Sequence, residues 1–121
     1  MNIAITVWNN RVSPVFDSAQ ELLVARTRGT EILDAVIKEF QATFLNQFID
    51  LLRELDVRVL ICGALCEEPA SMLENHGVEV FSFMTGEAEN VLEGYLREED
   101  MTVFLMPGCG RSRCCRIPAR R

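Results

Sequence analysis

Hydrophobic and polar positions alternate with period two over Ile3–Trp8, a stretch rich in β-branched residues, and this predicts a strand. Leu22–Thr27 and Glu31–Lys38 predict two more strands. Their connection, Arg28-Gly29-Thr30, is short and contains glycine, which favours an antiparallel hairpin. Asn9-Asn10-Arg11 has the chemistry of a turn, and Pro14 is expected to hold the loop through Asp17 extended. From Thr43 the period changes. Phe44, Phe48, Leu51, Leu52 and Leu55 form one stripe, with Asn46, Gln47, Asp50 and Arg53 opposite, the pattern of an amphipathic helix. Arg58–Cys62 is a short apolar strand that ends at Gly63. Pro69 suits the first turn of a second helix, Glu67 and Glu68 sit near its positive end, and Gly77 stops it. Val78–Phe83 predicts a fifth strand. Thr85 is a candidate cap for a third helix, whose inner face is Ala88, Val91, Leu92, Tyr95 and Leu96.

The predicted order is β-β-β-α-β-α-β-α followed by a tail, with no internal repeat. Three antiparallel strands followed by two parallel βα units make a mixed five-stranded α/β sheet with helices packed on it, an architecture like that of ribonuclease H. A chain of 121 residues is one domain's worth. We place that domain at residues 1–107 and a basic Cys/Arg-rich tail at 108–121. No run approaches the ~18 apolar residues of a membrane span. Met1 and Asn2 lead straight into a strand with no basic leader, so the expected compartment is the cytoplasm. Charge divides the chain in two. Residues 1–107 hold seven basic and all eighteen acidic side chains, a net charge of −11, whereas 108–121 hold five arginines and no acid. An acidic body repels nucleic acid, which leaves only the tail to bind it.

In open α/β sheets ligands collect beyond the carboxyl ends of the parallel strands. Those ends should present Trp8, Asn9 and Asn10, then Cys62 to Cys66, then Met84, Thr85 and Gly86. Helix N-termini are expected near Cys66 and Thr85, where free N–H groups favour an anion and lower a thiol's pKa. Cys62 reads either as a small buried hydrophobe or as a ligand, and Cys66 either as an ordinary loop residue or as a ligand. The tail places Cys109, Cys114 and Cys115 within seven residues, beside Gly108 and Gly110. Thiolates there suit iron–sulfur, copper or zinc chemistry, and the bland alternative is a tail that binds nothing. The adjacent Cys114 and Cys115 also allow a strained, redox-labile disulfide. His76, the one histidine, falls in the last turn of the second helix and reads as surface decoration. Ile3–Val7 carries no carboxylate to hold catalytic magnesium, and neither a P-loop nor a G-x-G-x-x-G is present. Nuclease and nucleotide chemistry are therefore not expected.

Four segments in order carry a resemblance: Ile3-Ala4-Ile5, Arg11-Val12-Ser13-Pro14-Val15-Phe16-Asp17, Leu60-Ile61-Cys62-Gly63-Ala64 and His76-Gly77-Val78-Glu79-Val80. Over about residues 1–98 the chain resembles the dinitrogenase iron–molybdenum cofactor biosynthesis family. The resemblance implies a non-enzymatic domain that binds or carries iron–molybdenum or related metal–sulfur clusters, together with an association with cofactor-biosynthesis proteins. The family also includes a molybdenum–copper–sulfide orange protein. The matching positions are the Ser13–Asp17 and Cys62–Cys66 loops. Val15 stands where many members carry histidine, Asp17 where glycine is common, and Cys66 where the loop often has another glycine.

Together these readings nominate Asn9, Arg11, Ser13, Phe16, Cys62, Gly63, Cys66, Thr85 and Gly86 as cofactor contacts, with Cys109, Cys114 and Cys115 as metal ligands. Two alternatives stay open. One is an interaction or regulatory module whose arginine tail binds a partner protein or, less well, nucleic acid. The other is a thiol redox switch.

Overall fold

The computed structural model describes residues 1–106, so the expected tail at 108–121 and its three cysteines lie outside the described residues. Six strands are present: β1 Asn2–Trp8, β2 Arg11–Val12, β3 Glu21–Arg28, β4 Glu31–Glu39, β5 Val57–Ile61 and β6 Glu79–Phe81. The helices are α1 Leu45–Glu54, α2 Glu67–Asn75 and α3 Ala88–Leu96, with short 3₁₀ turns at Phe16–Ser18 and Met101–Phe104. Five strands form one sheet in the order β4-β3-β1-β5-β6, and β2 pairs with the end of β1. β1, β3 and β4 are mutually antiparallel neighbours, while β5 and β6 extend the sheet in parallel from β1. This is the expected mixed α/β sheet.

The period-two pattern of β1 explains why the sheet has two buried faces. Ala4 joins Leu22, Val24, Leu60 and Val80 in a core with α1 and α2, completed by Phe48, Leu52, Ala70 and Leu73. Ile3, Ile5 and Val7 point the other way, into a core with Val91, Leu92 and Tyr95 of α3. The central strand is thus covered on both sides, as parallel-paired strands require. β4 differs, because every one of its nine residues is exposed.

Several local expectations need correction. Arg11 and Val12 were expected in turn and loop but form an additional short strand, β2, because a two-residue connection is enough to pair them with Trp8 and Val7. The segment after Pro14 does not stay extended through Asp17; it closes a 3₁₀ turn at Phe16–Ser18. Thr85 does not cap the third helix. Its N–H is taken by the carbonyl of Phe104 at 2.7 Å, and the helix begins three residues later at Ala88, with Glu87 at the cap position. In the first helix Phe44 sits at the cap position rather than on the inner stripe, and is 51% exposed.

Phe48, which meets Phe16 edge-on with ring centroids 5.1 Å apart, carries the packing that Phe44 does not. Denaturant unfolding should therefore show Phe48→Ala costing about 3–5 kcal/mol and Phe44→Ala under about 1 kcal/mol. Equal losses would mean that the stripe packs as the bare periodicity suggests.

Candidate functional site

The carboxyl edge of the sheet is built by three loops fastened to one another. The first begins with Asn9 and Asn10, at φ +52° and +65°. Two successive left-handed residues make the primed turn that matches the twist of a hairpin, and asparagine tolerates that conformation well. The turn folds Arg11 back beside Trp8. The hairpin then attaches to the loop before α3: Val12 N–H donates to the Gly86 carbonyl and Ala88 N–H donates to the Asn10 carbonyl, both at 2.9 Å, so that the backbones of Arg11 and Glu87 stand opposite each other as in an antiparallel strand pair. Asn9, Arg11 and Gly86 are thereby brought together, beside a cleft of about 530 Å³ that is also lined by Asn10 and Glu89. Beyond Ala88, the first-turn N–H groups of α3 precede any intrahelical acceptor.

The second group of predicted residues forms a brace inside the edge. Ser13 N–H donates to the Thr6 carbonyl at 2.8 Å, Ala64 N–H to the Pro14 carbonyl at 2.8 Å, and Phe16 N–H to the Ala64 carbonyl at 2.9 Å. The Ser13–Phe16 segment so lies against the chain leaving β5, as a short extra strand would. Gly63 permits this approach. A Cβ there would fall 2.1 Å from the Ser13 carbonyl oxygen and 2.3 Å from that of Pro14. The third loop docks on the second through Phe83 N–H to the Gly63 carbonyl at 2.7 Å and Met84 N–H to the Cys62 carbonyl at 3.0 Å. Ser13, Phe16, Cys62 and Gly63 therefore hold the edge in shape from within, all four being buried.

The thiols separate sharply. Cys62 is fully buried in the core beneath α1 and α2, and burial pushes its thiol up to about 12. It stays protonated at neutral pH and does not face the edge. Cys66 is exposed at the cap position of α2. Among the described residues no three His, Cys, Asp or Glu side chains converge to hold a metal ion. Thr85 is half-buried, with its backbone turned to Phe104.

Of the larger cleft, about 680 Å³, on the other side of the hairpin, sequence reasoning nominated only Ser13, with Trp8 expected at the strand end beside it. Trp8, Ser13, Ser18, Gln20, Glu21, Glu39 and Gln41 line the cleft. Trp8 is 62% exposed. A tryptophan at the last position of a strand, just before an Asn-Asn turn, was the available signal. Glu21 and Glu39 stand opposite each other across β3 and β4; the smaller cleft is likewise lined by two carboxylates, Glu87 and Glu89, but also by a cation, Arg11.

Three braced loops thus close one edge of a mixed sheet in an α/β domain. The chain belongs to the dinitrogenase iron–molybdenum cofactor family, whose sequence pattern it matches over residues 1–98. No curated protein matches it. Solved structures share the fold. PH0822 superposes with a TM-score of 0.74 at 12% identity, over 82% of this chain and 91% of that one. The MJ0327 protein of Methanocaldococcus jannaschii gives 0.68 at 15% identity, over 82% and 90%. The apo form of the orange protein from Desulfovibrio gigas gives 0.66 at 16% identity, over 81% and 88%. No described helix is long and apolar enough to cross a membrane.

Two outcomes follow from this geometry. Gly63→Ala should lose about 3 kcal/mol or more in urea unfolding, because backbone oxygens rather than a flexible side chain occupy the space; Gly29→Ala, which meets nothing within 4 Å, should cost less. The second outcome concerns the thiols. In Cys109/Cys114/Cys115→Ser protein at pH 8, iodoacetamide should label Cys66 quickly and Cys62 only on unfolding, as read by mass spectrometry. Cys62 keeps its proton in the folded state while the unfolded thiol ionises near ~8.5. Its contribution to stability is thus complete below that pH and falls as pH rises towards 12.

Proposed function

We propose that the chain binds and carries a preformed, anionic metal–sulfur cluster at the carboxyl edge of its sheet, as an accessory protein and without catalysing a reaction. The observation that carries this reading is the hairpin tip. Asn9, Asn10 and Arg11 are exposed there, fixed in position by backbone hydrogen bonds to the loop before α3. Guanidinium and amide N–H groups suit the sulfur surface of an anionic cluster, and charge-assisted hydrogen bonds are the stronger kind. The larger cleft, lined by Glu21 and Glu39 and by no cation, suits such a cargo less well than the smaller one, where Arg11 stands beside Glu87 and Glu89.

The donor set supports holding an intact cluster over assembling one from a bare ion. Cys66 is the one accessible thiol among the described residues, and Cys62 is locked away. In this reading Cys109, Cys114 and Cys115 are secondary donors. Family membership and the fold shared with the orange protein support the same class of cargo, an iron–molybdenum-type, iron–sulfur or molybdenum–copper cluster. The cytoplasm, with a cofactor-biosynthesis protein as partner, is the setting that fits such a carrier.

Anaerobic reconstitution tests the proposal. The protein is incubated with iron and sulfide, with copper and tetrathiomolybdate, and with zinc, then desalted and analysed for metal. A cluster preparation should remain bound with a visible charge-transfer band. Arg11→Gln should weaken retention about tenfold, the loss of roughly one charge-assisted hydrogen bond. Replacing Cys109, Cys114 and Cys115 together by serine should only weaken it. Retention below about a tenth of an equivalent in every preparation would overturn the carrier reading, and abolition by the triple serine variant would replace it with direct thiolate ligation.

A further inference from the structure

At the carboxyl edge β4 contributes Glu39 to the larger cleft and Ile37 to the smaller, which leaves the exposure of the rest of the strand unexplained. It pairs with β3 on one side only and forms an open edge of the sheet. Ile32, Leu33, Val36 and Ile37, four of its nine residues, are 38–51% exposed large aliphatics. Among the described residues no helix covers them. An open, aliphatic edge strand is a template for another strand, and natural proteins usually blunt one.

We propose that β4 is the contact through which two copies of this chain pair, strand against antiparallel strand, about a two-fold axis at Val36. The second copy is the occupant because the strand is complementary to itself. Register with β3 places Asp34, Val36 and Lys38 opposite Arg26, Val24 and Leu22, so these three share the α1/α2 face. Read backwards, acid-aliphatic-base becomes base-aliphatic-acid. Antiparallel pairing centred on Val36 therefore sets Val36 against Val36 and each Asp34 against the other copy's Lys38. On the opposite face Ile37 meets Ala35. A two-fold axis normal to the sheet keeps each face with its like, as this register requires.

Two further observations agree. The one irregularity in the β3–β4 pairing lies at Arg26/Thr27, before Asp34, so Asp34–Glu39 is the straight part of the edge. Asp34 already accepts from Arg26, which positions its carboxylate and leaves it a further oxygen, while Lys38 makes no ion pair among the described residues. A strand pair of this length buries little area, so the dimer is weak and depends on concentration.

Sedimentation equilibrium of the full chain, in reductant so that thiols cannot crosslink it, tests this up to about 0.5 mM, where a weak interface populates. The wild type should show a monomer–dimer equilibrium that weakens as salt rises. Lys38→Glu and Asp34→Lys each set like charges opposite at two places and should each weaken self-association about tenfold or more. Mixing the two variants restores both opposite-charge pairs, so the mixture should associate as the wild type does. Circular dichroism melts confirm that both exposed substitutions leave the fold intact. A wild type that stays monomeric throughout, or association unchanged by either substitution or not regained on mixing, would overturn the proposal.

Discussion

The contact on which the rest of the structure depends is the approach of the Gly63 peptide to the carbonyls of Ser13 and Pro14. β1 and β5 are parallel neighbours, and their pairing runs from Asn2 to Ile5. Beyond Ile5 the edge would open into a gap between diverging loops. The Ser13–Phe16 segment fills that gap and exchanges backbone hydrogen bonds with both sides. Because the filling element is backbone, it satisfies polar groups that would otherwise be buried without partners. It also carries Phe16 into the core against Phe40 and Phe48, so one loop ties the edge to the hydrophobic interior. The chain leaving β6 then rests on this brace through Gly63 and Cys62.

This organisation separates two roles that cysteine and glycine play in the same short loop. Cys62 contributes volume to the core, and its high pKa expresses how completely water is excluded around it. Gly63 contributes the absence of volume. Four residues on, the chain has emerged and Cys66 is exposed. Among the described residues this edge therefore presents the hairpin tip, the first turns of α2 and α3, and one exposed thiol. The strained element nearby is Phe83, held at φ +60° between Gly63 and Met106 by hydrogen bonds from and to its backbone. A bulky residue in that conformation persists only where its surroundings dictate it.

How much of this was legible in the sequence varies with range. The mixed sheet and the three helices followed from hydrophobic period and from glycine and proline at element ends, which are local signals. Positions such as Phe44 and Thr85 misled because the same residue type serves at a cap, on a stripe or in a loop, and neighbours distant in sequence decide. Phe104, nineteen residues beyond Thr85, takes the N–H of Thr85. Of the nominated residues that the structure describes, Asn9, Arg11 and Gly86 meet at one edge, while Cys62 lies in the core below it. What the sequence did not reveal is which of them face water. Asn9 and Arg11 do, whereas Ser13, Phe16, Cys62 and Gly63 do not, and that depends on a loop packing that no periodicity encodes.

The two edges of the sheet are unequal in a way that limits what it can become. β6 offers only three residues, and the chain beyond it is turned back at Met84 and pinned by Leu105. β4 offers nine, straight over most of their length. An edge strand as short as β6 rarely seeds growth. A sheet with one receptive side is a chain terminator: joining at that side uses up the capacity to join. Whatever strand docks there, the result is a discrete particle and not a ribbon, so a protein that leaves aliphatic side chains on an open edge is still protected from runaway polymerisation of its folded state.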